Sequence, residues 1–294
     1  MKWEGNRESD NVEDRRGESG GGGGGFGLGG RSIGIGTIAI ALIGSYFLGI
    51  SPTAMLDMLS GGGGSAPPQE RPAASQVPRA DDRDSKFVRT VLADTEDVWG
   101  KLLREEGTSY APPKLVLFTG STGTACGAGQ AASGPFYCPS DRQVYIDLSF
   151  FGLMKERFHV AGDFAQANVI SHEVGHHVQN LLGVSEKVQR AQQRASTTQA
   201  NALSVRLELQ ADCFAGVWAF HANRSRSILE QGDIETALNA ATAIGDDALQ
   251  RQARGQVVPD SFTHGSSAQR VRWFTKGIQT GQLKECNTFE ARQL

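Results

Sequence analysis

The chain has no surplus of basic charge. Its 29 lysines and arginines stand against 32 acidic residues in 294, a net charge of −3, which excludes the broad basic face of a nucleic-acid binder. No tandem repeat of solenoid or propeller period is visible, so an array of stacked units is excluded as well. Cysteine is scarce: there are four, and no two lie close enough to form the paired ligands of a zinc finger or ribbon. Glycine is the residue in excess, 37 of 294, but it concentrates in two runs, Gly20–Gly25 and Gly61–Gly64. Those runs mark a tail and a linker, not a collagen-like repeat.

Charge is missing altogether from one stretch. Ile33–Ile50 (IGIGTIAIALIGSYFLGI) carries no charged side chain. At 1.5 Å per residue it spans about 27 Å as a helix. With Ser51–Met58 it is long enough for a hydrocarbon core of about 30 Å. The expectation is a single transmembrane helix over 32–58. A cleavable signal peptide fits less well, because 32 residues, six of them acidic, precede the run and its apolar core is too long, and a buried core helix is the other alternative. Residues 1–31 are polar, glycine-rich and of mixed charge, and read as a disordered cytoplasmic tail. Arg15, Arg16 and Arg31 precede the run, and no lysine or arginine follows between Ser32 and Glu70. The positive-inside rule then puts the N-terminus inside and the rest outside. Residues 59–83 read as a flexible Gly/Pro/Ser linker, and residues 84–294 as one extracytoplasmic domain with a sizeable core.

Within that domain, Asp84–Glu106 is amphipathic, with Phe87, Val91, Val98 and Leu102 at helical spacing. Lys114–Thr119 and Gln143–Leu148 read as strands around a loop rich in Gly, Pro and Cys. Asp163 and Gln166 form a candidate capping box for a helix that runs to Leu182, where Gly183 can end it. Val205–Phe220 is apolar nearly all round and reads as a buried helix, and another helix begins at Asp233. Early strands followed by helices give an α+β fold with a mainly helical core and a small sheet. Outside the membrane, Cys126, Cys138, Cys213 and Cys286 can form two disulfides in three pairings. Cys126–Cys138 with Cys213–Cys286 is the favoured pairing, and buried free thiols are the alternative.

The strongest chemical signal is His172-Glu173-Val174-Gly175-His176. Residues four apart share a helix face, so both imidazoles can reach one metal ion. Glu173 stands where a carboxylate can take a proton from water at that metal. Gly175 costs about 1 kcal/mol of helix propensity against alanine, which the close approach of another backbone would explain. A third ligand is expected on the buried helix, where Glu208 and Asp212 also lie four apart. Glu208 as ligand and Asp212 as acceptor for a ligand histidine N–H would satisfy two carboxylates that are otherwise expensive to bury. A salt bridge from these acids to Arg190, Arg194 or Arg206 is the plainer alternative. His177 reads as packing, and His159 and His221 as ordinary. His264, in the polar loop Ser261–Ser267, is either a turn-stabilising residue or a donor to the oxyanion of a tetrahedral intermediate.

From about Thr90 to Phe289 the chain resembles the neutral zinc metallopeptidases, a family of membrane-anchored bacterial proteins. The resemblance is carried by CGAGQAASGPFYCPSDRQVYIDLSF (126–150), AQANVISHEVGHHVQNLLG (165–183), RLELQADCFAGVWA (206–219), AIGDDALQRQ (243–252) and PDSFTHGSSAQRVRWFTKG (259–277). It implies a zincin-like metalloprotease domain of the gluzincin type, in the bacterial cytoplasmic membrane, with its catalytic domain periplasmic or extracellular. His172, His176 and Glu208 correspond to the ligands of one Zn2+ per chain, Glu173 to the general base, and Asp212 to the residue supporting a ligand histidine. The expected function is a membrane-anchored zinc endopeptidase acting on a peptide or protein, which would lie along an exposed edge of strand 114–119 or 143–148. The alternatives are a zinc-stabilised module that recruits envelope partners without cutting them, and a purely structural envelope protein.

Overall fold

Eight α-helices and six short strands make up the residues described by a computed structural model, 1–17, 82–130 and 134–294. The expected membrane helix over 32–58 lies outside the described residues, as does the linker over 59–83 apart from its last two positions. Among the described residues, no helix is long and apolar enough to cross a membrane.

The first strand, β1 (Val12–Asp14), lies in the N-terminal segment. After it come helix α1 (Arg83–Glu105) and strands β2 (Lys114–Phe118), β3 (Ser121–Thr124), β4 (Gly127–Gln130), β5 (Phe136–Cys138) and β6 (Gln143–Asp147). One four-stranded sheet has the order β1-β2-β6-β5, with β1, β2 and β6 parallel and β5 antiparallel to β6. β3 and β4 form a separate hairpin. The helices that follow are α2 (Ser149–Arg157), α3 (Asp163–Leu181), α4 (Val184–Gln192), α5 (Thr197–Arg226), α6 (Asp233–Ala243), α7 (Asp246–Arg254) and α8 (Ser267–Thr280).

Residues 1–17 are not a disordered tail. Trp3 is buried, edge-on to Phe87 at 5.3 Å, and its Nε1–H donates to Asp163 Oδ2 at 2.7 Å. Arg7 pairs with Glu96 and Asp97 on α1, and Ser9 Oγ–H donates to Glu96. Val12 registers with Leu115 in the sheet. The mixed charge that suggests a solvated tail is instead paired, Arg7 with Glu96 and Asp97 of α1, Arg15 with Glu13, and Arg16 with Asp14 and Asp82, and one tryptophan supplies the apolar anchor. The same contacts alter the start of α3. Asp163 is the first helical residue, not the N-cap, because its carboxylate is taken by Trp3 and by Arg83 Nη2 at 2.9 Å.

The core lies between α1, the sheet and the helix layer of α3, α5 and α8. Phe87, Trp99, Leu115, Leu117, Phe164, Trp218 and Phe274 are among its fully buried side chains. α5 extends well beyond 205–220, because Ser196 and Gln199 form a capping box at its start. Its crossing with α8 is glycine on glycine: a Cβ on Gly277 would stand 2.0 Å from the Cys213 carbonyl oxygen, and one on Gly216 2.3 Å from that of Phe274. Beside this crossing Cys213 is bonded to Cys286, and Cys126 to Cys138, so the favoured disulfide pairing is the one present. Gly183 takes φ 70 just after Leu182 and ends α3 as expected.

Candidate metal centre

The site forms where α3 crosses α5. Gly175 permits that crossing, since a Cβ there would stand 3.1 Å from the Ala211 carbonyl oxygen and 3.3 Å from Ala211 Cα. His176, next to Gly175, and His172, about one turn earlier along α3, both turn towards Glu208 of α5. One ligand atom from each of the three lies within 4.8 Å of the others. His172 Nε2 is 3.2 Å and His176 Nε2 3.5 Å from Glu208 Oε2. Tetrahedral ligands bound about 2.0–2.1 Å from a zinc ion stand roughly 3.3 Å apart, so these spacings fit one ion.

The other ring nitrogens are held from behind. His172 Nδ1–H donates to Asp212 Oδ1 at 2.9 Å, and His176 Nδ1–H donates to Gln179 Oε1 at 2.8 Å. Gln179 is itself fixed by its amide, which donates to the Leu207 carbonyl at 2.7 Å. Both Nε2 atoms therefore face Glu208 with the tautomer a metal requires. Asp212 is not paired with Arg190, Arg194 or Arg206. Its partner is the buried Arg270 of α8, whose Nε and Nη2 reach the two carboxylate oxygens at 2.9 and 2.8 Å. Arg190 pairs with Glu186, and Arg206 donates to the Thr288 carbonyl. Arg270 lies in the stretch 259–277 that carries the resemblance, where no pattern assigns it a role, although a signal exists. It falls at helical spacing with Trp273, Phe274 and Gly277, on the buried face of α8.

Glu173 is buried beside the ligands. Burial raises its carboxyl pKa, against the pull of His172 and His176. His264 lines the same cleft as His172, Glu173, His176 and Glu208. Burial depresses its pKa, but Glu208 and Asp246 more than offset this and the net shift is upward. Asp246 does not stand out in the sequence, yet it organises this loop. Its Oδ2 accepts the backbone N–H groups of Thr263, His264 and Gly265 at 2.7, 2.7 and 3.0 Å, and its Oδ1 lies 3.4 Å from His264 Nδ1. An aspartate at the start of α7 straight after Gly245 is the available cue.

The remaining histidines stay out of the chemistry. His177 is packed, as expected: Nε2–H donates to the Ala111 carbonyl at 2.7 Å and Nδ1 accepts from Tyr137 OH at 3.0 Å. Burial brings its pKa down to about 4, so it is a neutral strut between α3 and β5. His221 Nε2–H donates to the Gly281 carbonyl, and neither His221 nor His159 lines the cleft.

The cleft, about 860 Å³, follows α3. Val169, His172 with Glu173, His176 and Asn180 succeed one another along its floor, over about 16 Å of helix. The lining includes apolar side chains, Phe150, Phe158, Ala240 and Ile244, and polar ones, Arg142, Glu186, Gln189 and Gln192. Neither 114–119 nor 143–148 offers a free edge here, because β2 lies between β1 and β6, and β6 between β2 and β5. The edge strand at the cleft is β5, with Phe136 and Tyr137 in the lining, and Cys126–Cys138 ties the β3–β4 hairpin to it.

Comparison with known proteins agrees with this geometry. Residues 1–289 match the family described as "Putative neutral zinc metallopeptidase". An uncharacterised protein of Escherichia coli K12, YpfJ, is 50% identical over 292 residues, covering 98% of this chain and 99% of that protein. An uncharacterised protein of Mycobacterium tuberculosis H37Rv, Rv2575, is 42% identical over 224 residues, covering 71% of this chain and 73% of that protein. No solved structure matches the chain. With two imidazoles and a carboxylate gathered around one point and the match running over nearly its whole length, the chain belongs to this zinc metallopeptidase family.

Proposed function

We propose that the chain is a zinc-dependent endopeptidase attached to a bacterial membrane through residues 32–58, working on the oxidising side where its disulfides form. The observation that carries the catalytic reading is the juxtaposition of His172, His176 and Glu208 with the buried Glu173 in one open cleft. A bound zinc ion would supply Lewis acidity, polarising the scissile carbonyl and acidifying a water molecule. Glu173, with its raised pKa, accepts a proton from the attacking water as the new C–O bond forms, then passes it to the amine as the C–N bond breaks. His264, held by Asp246 through Nδ1, donates from Nε2 to the developing oxyanion. Arg270 acts at a distance, fixing Asp212, which fixes the His172 ring. The substrate lies as an added strand along β5, and the apolar side chains in the lining, Phe150 and Phe158 among them, favour a bulky apolar side chain next to the cleaved bond.

The test is metal content and peptide cleavage by the purified full chain. The parent is expected to hold one zinc, and His176→Ala and Glu208→Ala to lose it. Glu173→Gln should keep the zinc and lose cleavage by about 10²–10⁴-fold or more. Undiminished cleavage by that variant would remove Glu173 from the mechanism. Bound zinc with no cleavage by the parent would favour the recruiting module.

A further inference from the structure

The two described stretches that flank residues 18–81 form one folded body. β1 is hydrogen-bonded into the sheet: Leu115 N–H donates to the Asn11 carbonyl, and Arg15 N–H to that of Leu117, both at 2.8 Å. Lys2 N–H donates to the Ile228 carbonyl at 2.8 Å, beyond the end of α5. The point of departure meets the point of return. Arg16, almost wholly buried, reaches Asp82 Oδ2 at 2.7 Å, Asp14 Oδ2 at 2.6 Å and Ser85 Oγ at 2.6 Å. Asp82 is in turn the N-cap of α1, accepting from Ser85 N–H.

A single membrane crossing between Gly17 and Asp82 would separate these partners by at least the hydrocarbon thickness, about 30 Å. It would strip β1 from β2, empty the Trp3 site and leave Asp82 without Arg16. Two of the arginines that point the N-terminus inward by the positive-inside rule are the same residues that the fold engages: Arg15 through Glu13, and Arg16 through Asp14 and Asp82. Their charge is therefore spent within the domain and does not report on the cytoplasm.

We infer that residues 1–17 and the zinc domain occupy one compartment, on the oxidising side, so that Gly17 and Asp82 stand on the same face of the membrane to which the chain is attached. The lipid part of this rests on the membrane attachment proposed above, whereas the shared compartment rests on the sheet alone.

The experiment uses the full chain in spheroplasts of an Escherichia coli host. All four native cysteines are in disulfides, so a single added cysteine is the one reactive thiol. Glu4→Cys reports on the N-terminal segment and Lys101→Cys on α1, both exposed positions. A membrane-impermeant maleimide is expected to label both before lysis and to the same extent. Protection of either variant until lysis overturns the inference. Trp3→Ala gives a second readout: the Tm of the whole chain should fall, and an unchanged Tm would mean that the segment is not part of the domain. Release of the chain by a carbonate wash would count against membrane attachment alone, which the labels do not measure.

Discussion

At the residue scale, the pairs spaced four apart are legible in the amino-acid sequence itself. His172 with His176, and Glu208 with Asp212, need only helical periodicity to be placed on common faces. Gln179 obeys the same periodicity, three residues from His176 on α3, but Arg270 and Asp246 do not, because their partners lie on another helix and on a distant loop that no local pattern brings near. Arg270→Met is expected to leave Asp212 as an uncompensated buried charge, costing about 3–5 kcal/mol in urea denaturation. Arg270→Lys should recover only part of that, since a lysine cannot make the two-pronged contact. Asp246→Asn tests the His264 loop. Asp246 raises the His264 pKa, so removing its charge lowers that pKa, and the alkaline limb of the kcat–pH profile moves to lower pH. The sign for stability is the reverse. The Asp246 pKa is depressed below 3.8 by His264 and the loop amides against burial, so its contribution is present above that pH and fades in stronger acid. Unfolding curves of Asp246→Asn should lack that acid-dependent loss.

At the element scale, the longer periodic segments are readable and the short ones are not. α1, β2, β6 and α3 lie within a residue or two of expectation, because each carries a full apolar face. β1, β3, β4 and β5 have three or four residues each and offer too few positions for alternation to register, and the first three are besides rich in charge or in Gly, Ser and Thr. Without β1 and β5 the free edge is misplaced too, since it depends on how many strands the sheet contains. The α5–α8 crossing is where an element-scale change should be felt most. Gly277→Ala puts a methyl against the Cys213 carbonyl, so α8 must move away from α5, carrying Arg270 with it. A loss of about 1–3 kcal/mol or more is expected by calorimetry, with weaker zinc retention measured by competition with a chelator. Closing 73 residues with Cys213–Cys286 contributes at most about 4 kcal/mol in the chain-entropy picture, which cannot relieve a local clash.

At the scale of the whole molecule, composition misleads. Averaged over 1–31, the sequence looks too polar to fold. Yet Trp3 needs only one apolar site, and the arginines need only Glu96 and Asp97 of α1, its N-cap Asp82, and Glu13 and Asp14 of their own strand. A chain beginning at residue 84 therefore lacks more than a tail. It loses β1, Trp3 and the Asp82 cap, and leaves the β2 edge unpaired. Such a fragment is expected to melt below the full chain and to self-associate through that edge, as read by calorimetry and light scattering.

The parallel pairing of Val12 with Leu115 also sets a schedule. At about 5–20 residues per second, the ribosome releases the partner strand on the order of 5–20 s after the first one. During that interval β1 has nothing to pair with. On the membrane attachment proposed above, the apolar run would emerge within it, so the sheet can close only in molecules whose two halves reach the same compartment.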